Sequence, residues 1–223
     1  MNEEIKLHSY VLRYDGGAAP NPFWGKCTLV ICKPVIRRTA KKDNWIIGTG
    51  SKNSPLGDIS NRIVYAMEVS EIITMEEYDK YCKKYLPNKI PDWYNDDFKR
   101  VVGDCIYDFS TKNKPILRTS VHKDGNIKTD LDGINALISS HYYYFGNNPI
   151  ILPKEFTSFI KKGPGHKIIT DLDLIEKFVK WIRKNYNQGI NNNPQIILSK
   201  NNREDCKCAQ IDLEEALEDE KHC

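Results

Sequence analysis

Residues 62–77, RIVYAMEVSEIITMEE, decide the fold. The first twelve are long, apolar and rich in Ile and Val, and read as one central strand. The next four, Thr74 to Glu77, fit the S/T-x-x-E capping box, in which the Thr hydroxyl takes an orphan amide and the Glu carboxylate reaches back. A strand therefore hands over directly to a helix. Met75, Tyr78, Cys82 and Tyr85 recur along one face of that helix. Pro87 and Pro91 end it.

On the N-terminal side, SYVLRY (9–14), CTLVIC (27–32) and NWIIGTG (44–50) read as strands. The first two bracket a rigid loop, RYDGGAAPNPFWG (13–25), stiffened by Pro20 and Pro22 and freed at Gly16 and Gly17. On the C-terminal side, residues 92–114 are loop-rich. PILRTSV (115–121), INALISS (134–140) and the aromatic run HYYYFGNNPIILP (141–153) supply further strands. KKGPGHK (161–167) is a loop. Residues 171–186 are the clearest helix, with Leu172, Ile175, Phe178, Val179, Ile182 and Tyr186 in one stripe. QIILS (195–199) reads as a last strand. Many short strands with few inserted helices argue for an α+β fold built on a small curved sheet or barrel, and the lack of β–α alternation argues against a doubly wound sheet.

The 223 residues, 40% apolar and 28% charged, suit a globular chain. No apolar run approaches the ~18–20 residues of a membrane span. The opening MNEEIKLHSY lacks the apolar core of a secretory signal. Seven scattered cysteines fit a reduced, cytoplasmic protein. The expected organisation is one domain over residues 1–190, followed by a linker and acidic tail over 191–223. Residues 203–223 carry eight acids against three bases, net −5, which leaves +8 on residues 1–202. A basic body suits a polyanion partner as well as it suits a solvated lysine-rich surface.

Neither DGGAAPNP (15–22) nor GTGSK (48–52) has the spacing and following helix of a phosphate loop. Cys206, Cys208, His222 and Cys223 could supply four zinc ligands, but their spacing is unlike common structural sites, so no metal is assigned. No cofactor cradle is present either. The five histidines form no recognisable triad. The strongest signal is aromatic: Trp24 and Trp45 at loop–strand junctions offer faces on which a nucleobase stacks for about 1–3 kcal/mol. Asp15, Asn21, Ser51 and Asn53 stand near them and could read a base edge, with Arg13 beside and His141 and Tyr142 as a pocket wall. Lys33, Arg37, Arg38, Lys41 and Lys42 cluster within ten residues and suit phosphate contacts. The same aromatics would also serve as core.

The blocks YVLRYDGGAAPNPFWGKCTLVICKPVIRRTAKKDNWIIGTGSK, NRIVYAMEVSEIITMEEYDKY and NALISSHYYYFGNNPIILP resemble, in order, the second class of nucleotide-modification-associated domains. The resemblance spans Leu7 to Ile182. More distantly the layout resembles the PUA-like superfamily, with its EVE and YTH domains, although Asp43-Asn44 stand where that turn carries Gly-Asp. The resemblance implies a curved β-barrel with flanking helices, holding a modified base among aromatic side chains. The expected partner is DNA or RNA carrying such a base, or a free nucleotide, in a setting of DNA modification or phage–host conflict. One alternative is an enzyme using loop carboxylates, Asp15 with Asp104 or Asp108, as general acid and base. Another is a protein that docks a partner through residues 203–223.

Overall fold

The computed structural model describes residues 5–111, 114–163 and 165–220, excluding the side chains of residue 205 and of 215–220. Among the described residues, twelve strands and six α-helices follow one another in the order β1 (Leu7–Leu12), β2 (Cys27–Leu29), α1 (Pro34–Thr39), β3 (Trp45–Gly50), β4 (Arg62–Glu68), β5 (Glu71–Thr74) and α2 (Met75–Tyr85). Then come α3 (Phe98–Val101), β6 (Tyr107–Asp108), β7 (Ile116–Leu117), α4 (Ile127–Asp132), β8 (Asn135–Ser139), β9 (His141–Tyr144) and β10 (Ile150–Ile151). The last are β11 (His166–Ile169), α5 (Leu172–Asn185), β12 (Gly189–Ile190) and α6 (Cys208–Glu220).

These strands form a seven-stranded sheet, β11-β1-β3-β4-β9-β12 with β10 also on β4, a three-stranded sheet β2-β8-β5, and the short pair β6-β7. Alternation of side chains across each strand sorts the core into layers. On β3, Trp45 and Ile47 face α5, where Phe178, Ile175 and Ile182 cover them. Ile46 faces the other way and joins Tyr10, Leu12 and Val64 of the large sheet with Leu29 and Leu137 of the small one. On the far side of the small sheet, Ala136 and Ile138 meet Met75, Tyr78 and Cys82 of α2. The result is helix, sheet, sheet, helix. Both sheets are open among the described residues, which corrects the expected closed barrel to an α+β sandwich.

The single strand expected over 62–73 is two. β4 pairs with β3 and β9, whereas β5 pairs with β8 in the other sheet. The switch occurs at Val69-Ser70, where the Val69 amide bonds to Asn44 and the Ser70 amide to Ile138. Strands that change sheet at a bend build the corners of sandwiches. The sequence shows no break because both halves have the same β-branched composition. QIILS (195–199) forms no strand, and CTLVIC pairs only over its first three residues.

The capping box is present: the Glu77 amide donates to Thr74 Oγ1 at 3.2 Å and the Thr74 amide to Glu77 Oε2 at 2.8 Å. Thr74→Ala should therefore lower the unfolding free energy by about 1 kcal/mol, read from urea melts. An unchanged midpoint would mean that the box adds nothing to α2.

Candidate functional site

The loop 13–25 is held from inside rather than presented to solvent. Asp15 is buried, and its two carboxylate oxygens accept from Tyr144 Oη at 2.7 and 2.8 Å. Burial pushes its carboxyl up to about 6, with the bonds from Tyr144 and the Gly17 amide opposing. Asn21 is also buried, donates to the Val102 carbonyl and accepts from the Phe23 amide. Phe23 packs edge-on against Phe98. Gly17 needs its freedom: its φ is +81°, and an added Cβ would lie 2.9 Å from Pro194. The loop is thus a plug between layers.

Beneath it lies a buried polar network. Lys89 Nζ donates to Asn21 Oδ1 and to Thr28 Oγ1, both at 2.7 Å. Thr28 Oγ1 donates to Asp104 Oδ2 at 2.5 Å, and Tyr78 Oη to Asp104 Oδ1 at 2.8 Å. Lys89 and Asp104 are both fully buried. Burial lowers the Lys89 pKa and raises that of Asp104, and each charge offsets part of the other's cost. Asp108 belongs to a separate cluster with Lys83 and Arg118. The three carboxylates Asp15, Asp104 and Asp108 therefore occupy three different networks and do not converge.

The residues expected around one base are divided by the strand directions. β1 and β3 run parallel, with Leu12 opposite Gly50, so Arg13 and the Ser51–Asn53 turn emerge at the same end of the sheet. Trp45 starts β3 and lies at the other end, opposite Glu68, which in turn faces His141. A six-residue strand separates these ends by roughly 20 Å. Trp45 is 2% exposed, stacked on Tyr143 and edge-on to His141 and Phe178. Trp24 packs against the inner core beside α2, with a positive φ of 65°. Tyr142 spends its hydroxyl on the Pro22 carbonyl. Trp24 and Trp45 thus belong to different core layers.

The basic cluster is divided as well. Arg37 is fully buried and donates to the carbonyls of Cys32, Asp130 and Asn135. It stitches α1 to α4, so the expected phosphate contact at Arg37 is corrected to a structural role. Its amphipathic setting on α1 is too short to reveal this in sequence. Arg38, Lys41 and Lys42 are exposed, and Lys33 lies 4.9 Å over the Tyr10 ring. Lys41 and Lys42 lie at the Trp45 end.

Two large grooves among the described residues contain expected residues. One, of about 570 Å³, lies between Trp45, Glu68 and α5, with Asp43, Glu68 and Glu176 against Lys180 and Arg183. Glu68 there bonds His141 Nδ1 at 2.6 Å and Arg183 at 3.1 Å. The other, of about 600 Å³, lies at the carboxyl ends of β1 and β3 and is closed on its far side by α6. Arg13, Tyr14, Asn53 and Ser54 line one wall, and Lys207, Gln210 and Glu214 the other. Arg13 pairs with Glu214 at 3.2 Å, both partly exposed. Among the described residues the Asn53 side chain makes no hydrogen bond. The segment after residue 190, read from sequence as a linker and tail, is docked: Arg203 donates to the carbonyls of Trp93 and Asn95, and Asn126 Nδ2 to the Ala209 carbonyl at 3.0 Å. Reading the sequence alone missed Tyr14, Lys207 and Gln210, because nothing local shows that α6 folds back onto the ends of β1 and β3.

Fold and groove together define an α+β two-sheet domain with a cleft of mixed polar and apolar lining at the ends of parallel strands. The chain belongs to the nucleotide modification associated domain 2 family, whose model matches residues 4–201. No curated protein and no solved structure matches it. Among the described residues no helix is long and apolar enough to cross a membrane.

Proposed function

We propose that this domain binds a nucleotide, free or as an extruded base of a nucleic acid, in the groove between Arg13, Asn53 and α6. The carrying observation is the composition of that groove: each of its two walls holds a cation and an amide, Arg13 with Asn53 on one and Lys207 with Gln210 on the other, around about 600 Å³. Such a volume suits a small-ligand cleft. Cations meet phosphate, and amides read base edges by paired donor and acceptor. Location at the carboxyl ends of parallel strands is where open sheets place ligands. The groove beside Trp45 fits less well, since its three acids outnumber its two bases and would repel a phosphate. Tyr14 and Ile196 supply the apolar wall here in place of the two tryptophans. The reading needs no closed barrel.

The phosphate must displace Glu214 from Arg13. That pair is half-exposed and worth at most about 1 kcal/mol, so the exchange is affordable. Titration calorimetry against nucleoside mono- and triphosphates, and anisotropy with plain and base-modified oligonucleotides, tests the proposal. Arg13→Ala should weaken the best ligand about 10- to 100-fold, from a charge-assisted contact of about 1.5–3 kcal/mol. Asn53→Ala should narrow the difference between bases. If no nucleotide or oligonucleotide binds, or if neither change alters binding, the groove is not the site.

A further inference from the structure

Three potential metal ligands from distant parts of the chain meet under α6, and a fourth, Cys208, stands beside His122. Cys32 follows β2, His122 precedes α4, and Cys208 and Asp212 stand at i and i+4 on one face of α6. The ligand atoms of Cys32, His122 and Asp212, all buried, lie within 4.8 Å of one another. His122 Nε2 is 3.5 Å from Cys32 Sγ and 3.7 Å from Cys208 Sγ. Zinc–sulfur bonds of ~2.3 Å and zinc–nitrogen bonds of ~2.0–2.1 Å at tetrahedral angles place S and N roughly 3.6 Å apart.

The surroundings match a metal more closely than a hydrogen-bonded thiol pair. His122 Nδ1 faces Asp130 Oδ2 at 2.7 Å, which turns Nε2 toward the two sulfurs. Asp130 is itself held by the Cys32 amide at 2.9 Å and by Tyr107 Oη at 2.9 Å. A carboxylate behind a ligating imidazole is the arrangement that orients histidines at zinc centres. Asp212 is 4% exposed, and Asn126 Nδ2 donates to it at 3.0 Å.

We infer that Cys32, His122, Cys208 and Asp212 bind one zinc ion in a closed, structural site that pins α6 to the body. The set differs from the sequence-level grouping: Cys208 is shared, whereas Cys206 lies beside Tyr14 and His222 and Cys223 fall outside the described residues. Two ligands lie beyond residue 201, where the family match ends, so the metal would attach a helix that the family model does not include. The inference stands independently of nucleotide binding.

Elemental analysis of the full chain, purified without chelator from zinc-supplemented cells, should find one zinc per chain. Exchange to Co²⁺ should produce the visible bands of a tetrahedral site and thiolate charge-transfer absorption. Cys208→Ser should cut that absorption by about half and weaken retention at least tenfold, whereas Cys206→Ser should change neither. Should Cys208→Ser prove insoluble, the cobalt spectrum of the unaltered chain decides alone. Substoichiometric zinc without thiolate absorption, a chain mass lowered by a Cys32–Cys208 disulfide, or full metal retention in Cys32→Ser and Cys208→Ser would each overturn it.

Discussion

Lys89→Met is expected to lower the unfolding free energy by about 3–5 kcal/mol, the cost of leaving a buried charge without its partner. Lys89 and Asp104 are wholly buried and joined through the Thr28 hydroxyl. Methionine fills the same volume but returns neither the cation nor the donor to Asn21. Asp104 then keeps Tyr78 and Thr28 as donors and has no nearby positive charge to offset its desolvation. The remedy open to it is a proton, so the variant should recover stability as the pH falls. Removing both charges, as Lys89→Met with Asp104→Leu, should restore most of the loss, because apolar replacement of a buried pair is often neutral. Urea unfolding at pH 5 and 8 measures all three chains. A loss below about 1 kcal/mol for the single variant, like that expected at exposed Lys177, would refute the charge account.

Asp15→Asn should do the opposite and stabilise the protein at neutral and higher pH. The folded-state pKa of Asp15 is raised from 3.8 to about 6 by burial. A group raised on folding contributes stability that is full below its unfolded value and lost as the pH rises through the folded one. Native stability should therefore fall between about pH 4 and pH 6 and stay lower above, by about 3 kcal/mol at 1.36 kcal/mol per unit. Asparagine cannot ionise, and its oxygen still accepts from Tyr144. Its stability should be flatter across that window and higher at pH 8. Equal slopes for the two chains would show that Asp15 is not the group responsible. A residue that costs stability when ionised and yet anchors the loop next to the groove is a natural link between loop position and pH, since Ile196 of the groove bonds to the Asp15 carbonyl.

Several features were legible because they are local. The capping box at Thr74 and the apolar stripe of α5 act within one or two turns, and both helices lie where the pattern places them. The strand at 45–50 follows from the apolar Trp45-Ile46-Ile47 just after the turn-forming KKDN. The family itself was legible in the ordered blocks from Tyr10 to Pro153. Aromatic composition, by contrast, misled the placement of a base. Trp45 and Tyr142 have the same chemistry whether they line a cleft or fill a core, and only packing tells which.

Sequence by itself determined the α+β class, the two well-capped helices, the family and the residue types at the sheet ends, because propensity, capping and periodicity operate over a few residues. Tertiary structure alone decided the rest. It placed the sheet switch at Ser70, buried Arg37 against three carbonyls, and separated Trp45 from Trp24. It also brought Cys32, His122, Cys208 and Asp212 together across 180 residues of chain. Parallel pairing of β1 with β3 is what sets Arg13 beside Asn53, and docking of α6 is what turns that edge into a groove. Such contacts depend on long-range loop closure and shared burial, quantities that no short window of sequence contains.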